Sequence, residues 1–209
     1  LSGSPRVIPS RLIRETVALR DGRKVVLRPI RADDAPRLIA FHEHLSPESR
    51  YFRFFGPKPV LLPEEAEYLA KVDHLNRFAI VAVGTGDHDG ELTAVGRFDL
   101  VAPDVAEPAI VVRDDYQGVG LGSAILERMA EIGRGRGVRR FSGEILVENK
   151  RMLELLRSTQ LEVEVDDGVV RVSGPVGDWG PVFKALEIVA RQATSVAVRG
   201  TSLKRGRRP

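Results

Sequence analysis

The sequence predicts one mixed α/β domain, of the α+β kind, with a mostly antiparallel central sheet flanked by helices. Three observations carry that reading. Stretches with apolar residues at helical spacing alternate with short β-type runs. Three of those runs follow one another between residues 78 and 112 with brief loops between them, the order of an antiparallel meander. The chain has 209 residues, 43% of them hydrophobic, enough for a domain of about 150 residues with extensions.

Residues 15–30 alternate around Asp21-Gly22, with Val17, Leu19, Val25 and Leu27 apolar, and read as a hairpin. Asp33 and Asp34 are expected to cap a helix that carries Leu38, Phe41 and Leu45 on one stripe. Pro47 and the segment 48–55 suggest a second short helix, and Pro63 with its two following acids opens a third over 63–72. The β-type runs are 78–83, 92–100 and 109–112, the last followed by a loop over 113–120. A helix is expected over 121–134, with Leu121, Ile125, Met129 and Ile132 on one face, ended by glycines 133, 135 and 137. A strand near 138–147, a helix near 150–158 and a hairpin at Asp166-Asp167-Gly168 complete the domain.

The expected division is therefore an extension over 1–14, a domain over 15–174, and a linker, amphipathic helix and basic tail over 175–209. Val182, Leu186, Val189 and Ala193 mark that last helix, either packed on the domain or serving as a lid or dimer contact. Residues 1–5 lack the apolar core of a secretion signal and are expected to be a processed end.

Composition removes several chemistries. The chain has no cysteine, so disulfides, thiolate metal sites and an acyl-cysteine intermediate are excluded. Its apolar runs fall far short of the roughly 20 residues of a membrane span, and a cytoplasmic location is expected. Net charge is +3. Arg199, Lys204, Arg205, Arg207 and Arg208 supply five positive charges beyond residue 198, and taking those from +3 leaves −2 for residues 1–198. The basicity belongs to a tail, so neither nucleic acid nor membrane is the expected partner. His42, His44, His74 and His88 form no metal-ligand pattern, and no metal is expected.

The chemistry concentrates in residues 111–123, Val-Val-Arg-Asp-Asp-Tyr-Gln-Gly-Val-Gly-Leu-Gly-Ser, between a strand and a helix. Gly118, Gly120 and Gly122 let backbone amides approach a ligand closely, and a helix N-terminus there favours a diphosphate. No lysine follows Gly122 as a P-loop needs, and Ser123 stands where a dinucleotide fingerprint needs glycine or alanine. Spacing alone thus predicts an anion cradle or a turn without function.

Gln117-x-x-Gly120-x-Gly122 in that setting resembles the Gln/Arg-x-x-Gly-x-Gly/Ala signature of the GNAT acyltransferase superfamily. Glu148-Asn149-Lys150-Arg151-Met152 resembles the superfamily's second cofactor segment, and the likeness covers about residues 25–172. The resemblance implies the GNAT fold with splayed central strands, and acetyl-CoA as cosubstrate. By matching position it implies a cofactor site of Ile110, Val111, Val112, Gln117, Gly118, Val119, Gly120, Leu121, Gly122, Ser123 and Asn149. Asn149 reads equally as a helix N-cap.

A narrower resemblance is to the bacterial Pat-type protein lysine acetyltransferases. Leu45-Ser-Pro-Glu-Ser-Arg-Tyr-Phe-Arg-Phe-Phe55 looks like their acceptor-side segment, Val72-Asp73-His74 with Phe78-Ala79 like the segment after it, and Glu107–Arg113 like their acid-led strand. This implies Glu107 as general base and an acceptor lysine on a protein, for example an AMP-forming acyl-CoA synthetase; a monomer or homodimer is expected. An amine of pKa about 10.4 needs a base at neutral pH, and amides of residues 110–112 on a splayed strand would stabilise the oxyanion. Regulation by a cyclic nucleotide is not implied. Leu156 stands where many members have a tyrosine acid, and Gln160-Leu161 replaces a common Gly-Phe, so no acid is assigned. Tyr51, Phe52, Phe54 and Phe55 are expected in the core, Tyr116 in its loop, and Glu48, Arg50 and Arg53 toward the acceptor. The alternatives are a small-molecule amine acceptor, or a CoA-sensing or nucleic-acid-binding module without turnover.

Overall fold

The structure, a computed structural model, describes residues 14–150, 153, 161–166 and 168–179. The expected extension, the helix near 150–158 with Leu156 and Gln160, and the segment from 180 lie wholly or mostly outside those residues.

The first hairpin forms as β1 (Glu15–Ala18) and β2 (Lys24–Pro29), turning through Gly22 at φ +89°, a conformation open to a residue without Cβ. α1 (Ala35–Glu43) follows, and Leu38, Phe41 and Leu45 are buried as their spacing predicts. Asp34 does not cap it with a side-chain bond. Its carboxylate instead receives the Arg28 guanidinium at 2.6 and 2.7 Å and the Arg31 N–H at 2.9 Å. Arg28 is buried on β2 and requires a counter-charge, and that need overrides the capping preference.

α2 (Pro47–Phe54) is capped by Ser46, whose Oγ accepts the Ser49 N–H at 3.1 Å, and it ends at Phe55 in the left-handed region. None of its eight residues is buried. α3 (Pro63–Ala70) precedes the meander β3 (Arg77–Gly84), β4 (Leu92–Ala102) and β5 (Val105–Val112). β5 begins four residues before the apolar run at 109, because Glu107 and Pro108 pair with Asp99 and Phe98 of β4. After a short turn over 114–116 come α4 (Leu121–Gly135), β6 (Arg140–Leu146), β7 (Glu162–Asp166) and β8 (Val169–Pro175).

The eight strands form one sheet in the order β1-β2-β3-β4-β5-β6-β8-β7. Every neighbouring pair is antiparallel except β5 with β6. β3 is apolar on both faces because both are covered. Phe78, Ile80 and Ala82 meet Ile125, Leu126 and Met129 of α4, while Ala79 and Val81 meet Leu38, Phe41, Ala66 and Ala70 of α1 and α3. α4 lies close on β4 over Gly96, where an added Cβ would sit 2.3 Å from Ile125 and 2.6 Å from Met129. Packing runs on past Gly174: Val176 and Trp179 are buried, and the Trp179 ring meets Phe141 edge-on at 5.9 Å. Among the described residues no helix is long and apolar enough to cross a membrane.

Candidate active site

The site begins where the one parallel pair fails. β5 and β6 are in register only at Val105–Arg140 and Ala106–Phe141. The Arg113 N–H donates to the Thr93 carbonyl of the β4 side at 2.9 Å, so by alternation the backbone groups of residues 108, 110 and 112 face β6. Pro108 has no N–H to offer there, and its ring stands against Gly143, where even a Cβ would be 3.9 Å from it. Beyond that point the strands part. The gap is a cleft of about 760 Å³, lined by residues 107–112 on one side and 143–146 on the other. The amides of Ile110 and Val112 face into it.

The loop after β5 is fixed from behind. Arg113 is buried and holds Glu91 and Asp115, each at 2.7 Å. Its hydrogen bonds to Asp115, helped by Glu91, raise its pKa against the opposing effect of burial. Tyr116 is buried, as expected, with the Arg23 guanidinium 3.7 Å over its ring. With its base pinned, the chain turns through Gly118 at φ +76° and Gly120 at φ +98° into α4. The first intrahelical bond runs from the Ala124 N–H to the Gly120 carbonyl, so the amides of residues 121–123 have no partner inside the helix. The Ser123 Oγ, buried in that turn on the cleft lining, has no hydrogen-bond partner among the described residues. Glycines in strained turns, unpaired amides and an orphaned hydroxyl at a helix start suit a diphosphate.

The opposite wall is α2. Ser46 and Ser49 bond Asp114, and the Gln117 amide donates to the Ser49 Oγ at 3.2 Å and the Val112 carbonyl at 3.0 Å. From α2, Glu48, Phe52, Arg53 and Phe54 reach the cleft, with Phe55 after them. Strand register explains what they meet. Arg77, Asp99 and Glu107 lie side by side across β3, β4 and β5, with Arg97 in the next row between Ala79 and Ala109. Glu107, Ala109 and Val111 share one face, as their spacing predicts. Loss of water around the half-buried Arg53 depresses its pKa, against the attraction of Asp99 and Glu107. Burial, then the nearby Arg53, brings Arg97 down to about 10.

Of the sequence-predicted residues, Glu107, Ile110, Val111, Val112, Gln117, Gly118, Gly120, Gly122, Ser123 and Asn149 all line this one cleft. Val119 and Leu121 do not: both side chains pack into the core, and only their backbone belongs to the loop. The aromatic residues of 51–55 are a second difference. They are half-buried or exposed rather than core, because α2 is the wall of a cleft. Arg50 is a third: its guanidinium donates to the carbonyls of Leu45, Pro59 and Glu43 and braces α2 instead of facing an acceptor. Sequence reasoning passed over Pro108, Asp114, Gly143 and Trp179, which line the cleft. Pro108 alone carries a local signal, a proline inside a strand pattern.

Residues 24–161 match the family model described as an acetyltransferase (GNAT) domain. The chain belongs to the GNAT acetyltransferase family. This GNAT chain is 33% identical over 141 residues to the acetyltransferase PA5475 of Pseudomonas aeruginosa, covering 66% of the chain and 75% of that protein. It is 33% identical over 193 residues to acetyltransferase Pat of Mycolicibacterium smegmatis, covering 89% of the chain and 56% of Pat, so it spans little more than half of that relative. The crystal structure of the GNAT domain of S. lividans PAT superposes with a TM-score of 0.71 at 37% identity, covering 80% of this chain and 99% of that one. The resemblance to Pat-type enzymes and the mixed GNAT fold are thereby confirmed, and the chain is an N-acetyltransferase.

Proposed function

We propose that this GNAT enzyme transfers an acetyl group from acetyl-CoA to a lysine ε-amine on a protein, directly, within a ternary complex. The observation that carries the reading is the parting of β5 from β6 at Pro108, which puts an anion cradle and a carboxylate on one continuous cleft. The loop 117–123 would take the diphosphate, and the exposed amides of Ile110 and Val112 would line the pantetheine path and the thioester oxygen. Asn149 would help to hold the same arm. Glu107, on the face turned toward α2, would accept the ammonium proton. The neutral amine then adds to the thioester carbonyl, the C–S bond breaks, CoA leaves as its thiolate, and the second proton shed by the nitrogen as the amide forms passes to that thiolate or to solvent. The likeness of residues 45–55 to the Pat acceptor segment, and the identity to the two PAT proteins, support a protein acceptor, with an AMP-forming acyl-CoA synthetase as the candidate.

The test is thiol release from acetyl-CoA with such a synthetase as acceptor, for the native enzyme and Glu107→Gln. General-base catalysis contributes about 10²–10⁴-fold, so Glu107→Gln should lose at least about 100-fold at pH 7. It should recover as pH approaches the amine's pKa of about 10.4, where hydroxide removes the proton unaided. Equal rates of the two proteins at pH 7 would remove Glu107 from the mechanism. Turnover with small amines and no mass-detected label on any protein would replace the lysine acceptor.

A further inference from the structure

We propose that Asp114 is a positioning residue that ties the acceptor wall to the diphosphate loop, so that occupation of the loop sets the place of α2. The inference rests on the acyl-CoA reading of the cleft.

Two independent observations support it. The first is how little else holds α2. Phe54 packs on the core beside His42, but no residue of α2 is fully buried, so apolar packing holds it less firmly than α1 and α3. Its middle is braced by Arg50 on the carbonyls of Leu45, Pro59 and Glu43. Its N-terminus is held from the loop side by one carboxylate across 65 to 68 residues of chain. Asp114 Oδ2 accepts the Ser46 N–H at 2.9 Å, and Oδ1 accepts the hydroxyls of Ser46 at 2.7 Å and Ser49 at 2.9 Å. Hydrogen bonds to an ionised acceptor are about twice as strong as neutral ones, and three converge on this carboxylate.

The second observation is where the tie is anchored. Asp114 opens the short turn that delivers Gln117, whose backbone N–H donates to the Asp114 carbonyl at 3.3 Å. The Gln117 side chain then closes a ring by donating to Ser49 and to the Val112 carbonyl. Loop, strand end and α2 therefore share one hydrogen-bonded circuit. At the far end of the same helix, Arg53 stands in the field of Asp99 and Glu107. A shift of the N-terminus of α2 is a shift of the wall facing the base.

The spacing in Ser46-Pro-Glu-Ser49 follows from this geometry. Ser46 caps the helix and Ser49 sits one turn on, so both hydroxyls face the same carboxylate.

The test uses the full chain and acetyl-CoA, with native protein, Asp114→Ala and Asp114→Asn. Hydrogen exchange of residues 47–54 is measured with and without saturating acetyl-CoA, beside acetyl-CoA affinity by calorimetry and KM for the protein acceptor. In the native protein, acetyl-CoA should slow exchange in 47–54 by about tenfold, the worth of one or two hydrogen bonds. Asp114→Ala should abolish that response and raise acceptor KM about tenfold, while acetyl-CoA affinity stays within about threefold. Asp114→Asn should restore most of both, because its amide oxygen still accepts the two hydroxyls. A purely structural role would lower melting temperature and leave the cofactor-dependent exchange intact, which overturns the proposal. A loss of acetyl-CoA affinity larger than the change in acceptor KM overturns it too. If Asp114→Ala does not fold, the double variant Ser46→Ala/Ser49→Ala cuts the same tie from the other side under the same criteria. Should no protein serve as acceptor, the lysine reading fails, whereas the exchange response needs no acceptor and still decides the role of Asp114.

Discussion

Gly120 and Gly122 are two residues apart in one signature, yet the structure asks different things of them. Gly120 sits at φ +98°, outside the region L-residues tolerate, while Gly122 is helical, and a Cβ there would meet only Val112 at 3.7 Å, an ordinary contact. Gly120→Ala therefore carries a backbone cost of about 1–2 kcal/mol or more. If the loop keeps its shape, that cost appears as lost stability, about 2–4 °C in melting temperature per kcal/mol for a chain of this size. If the loop relaxes, the amides of 121–123 swing off the diphosphate, and each 1.4 kcal/mol forfeited weakens CoA binding tenfold. Gly122→Ala should instead gain up to about 1 kcal/mol of helix propensity, raise melting temperature by a few degrees and bind CoA within about threefold of native. Differential scanning fluorimetry and CoA titration by calorimetry separate the two routes. Gly120→Ala indistinguishable from native in both assays, or Gly122→Ala equally impaired, would refute the assignment of the turn as the cradle.

Three further outcomes follow from packing and charge. Gly96→Ala should destabilise by about 1–3 kcal/mol, read by urea denaturation, since its Cβ would overlap Ile125 and Met129 beneath α4. Asp34 is fully buried; burial pushes its pKa up, but the Arg28 hydrogen bonds, with the Arg31 N–H and Arg37, bring it below the ordinary 3.8. The stability it confers is complete above that value and lost as pH falls through the lowered pKa. Asp34→Ala should thus cost about 3–5 kcal/mol at pH 7, with the gap to native closing as pH falls below the ordinary 3.8 and through the lowered pKa. Trp179, the single tryptophan, lines the cleft, so its emission should shift on CoA addition with the calorimetric dissociation constant, and a silent spectrum at saturation would place the ligand elsewhere.

The parts of this fold legible in sequence are those written locally. Asp21-Gly22 and the glycine at 168 announce their hairpins, and Leu121, Ile125, Met129 and Ile132 announce the buried face of α4. The signature Gln117-x-x-Gly120-x-Gly122 could be placed at a strand-to-helix turn for the same reason. The start of β5 was not legible, because a proline and a glutamate break an apolar run even where the missing N–H faces a gap. Nor could composition tell the wall of a cleft from a core, so the aromatic residues of 51–55 read as interior. Asp34 reads as a cap until the buried Arg28 beside it is known. Asp114 is silent in sequence because its partners lie 65 and 68 residues away.

The seam between β5 and β6 also bears on how the enzyme holds together. Strands β1–β5 form one continuous antiparallel ladder and β6, β8 and β7 another, and two residue pairs join them. The hydrogen-bonded ladder is thus two panels, held together below the gap by the shared core in which Phe98 meets Phe141. An extended ligand laid along the gap, meeting the amides of Ile110 and Val112, would take the part of a missing strand and splice the panels together. Its binding energy then counts toward folding, rising as RT ln(1 + [L]/Kd), about 2.7 kcal/mol at a hundredfold excess over Kd. The resistance of this protein to unfolding and proteolysis would follow the acyl-CoA supply, making its abundance a slow record of the metabolite it consumes.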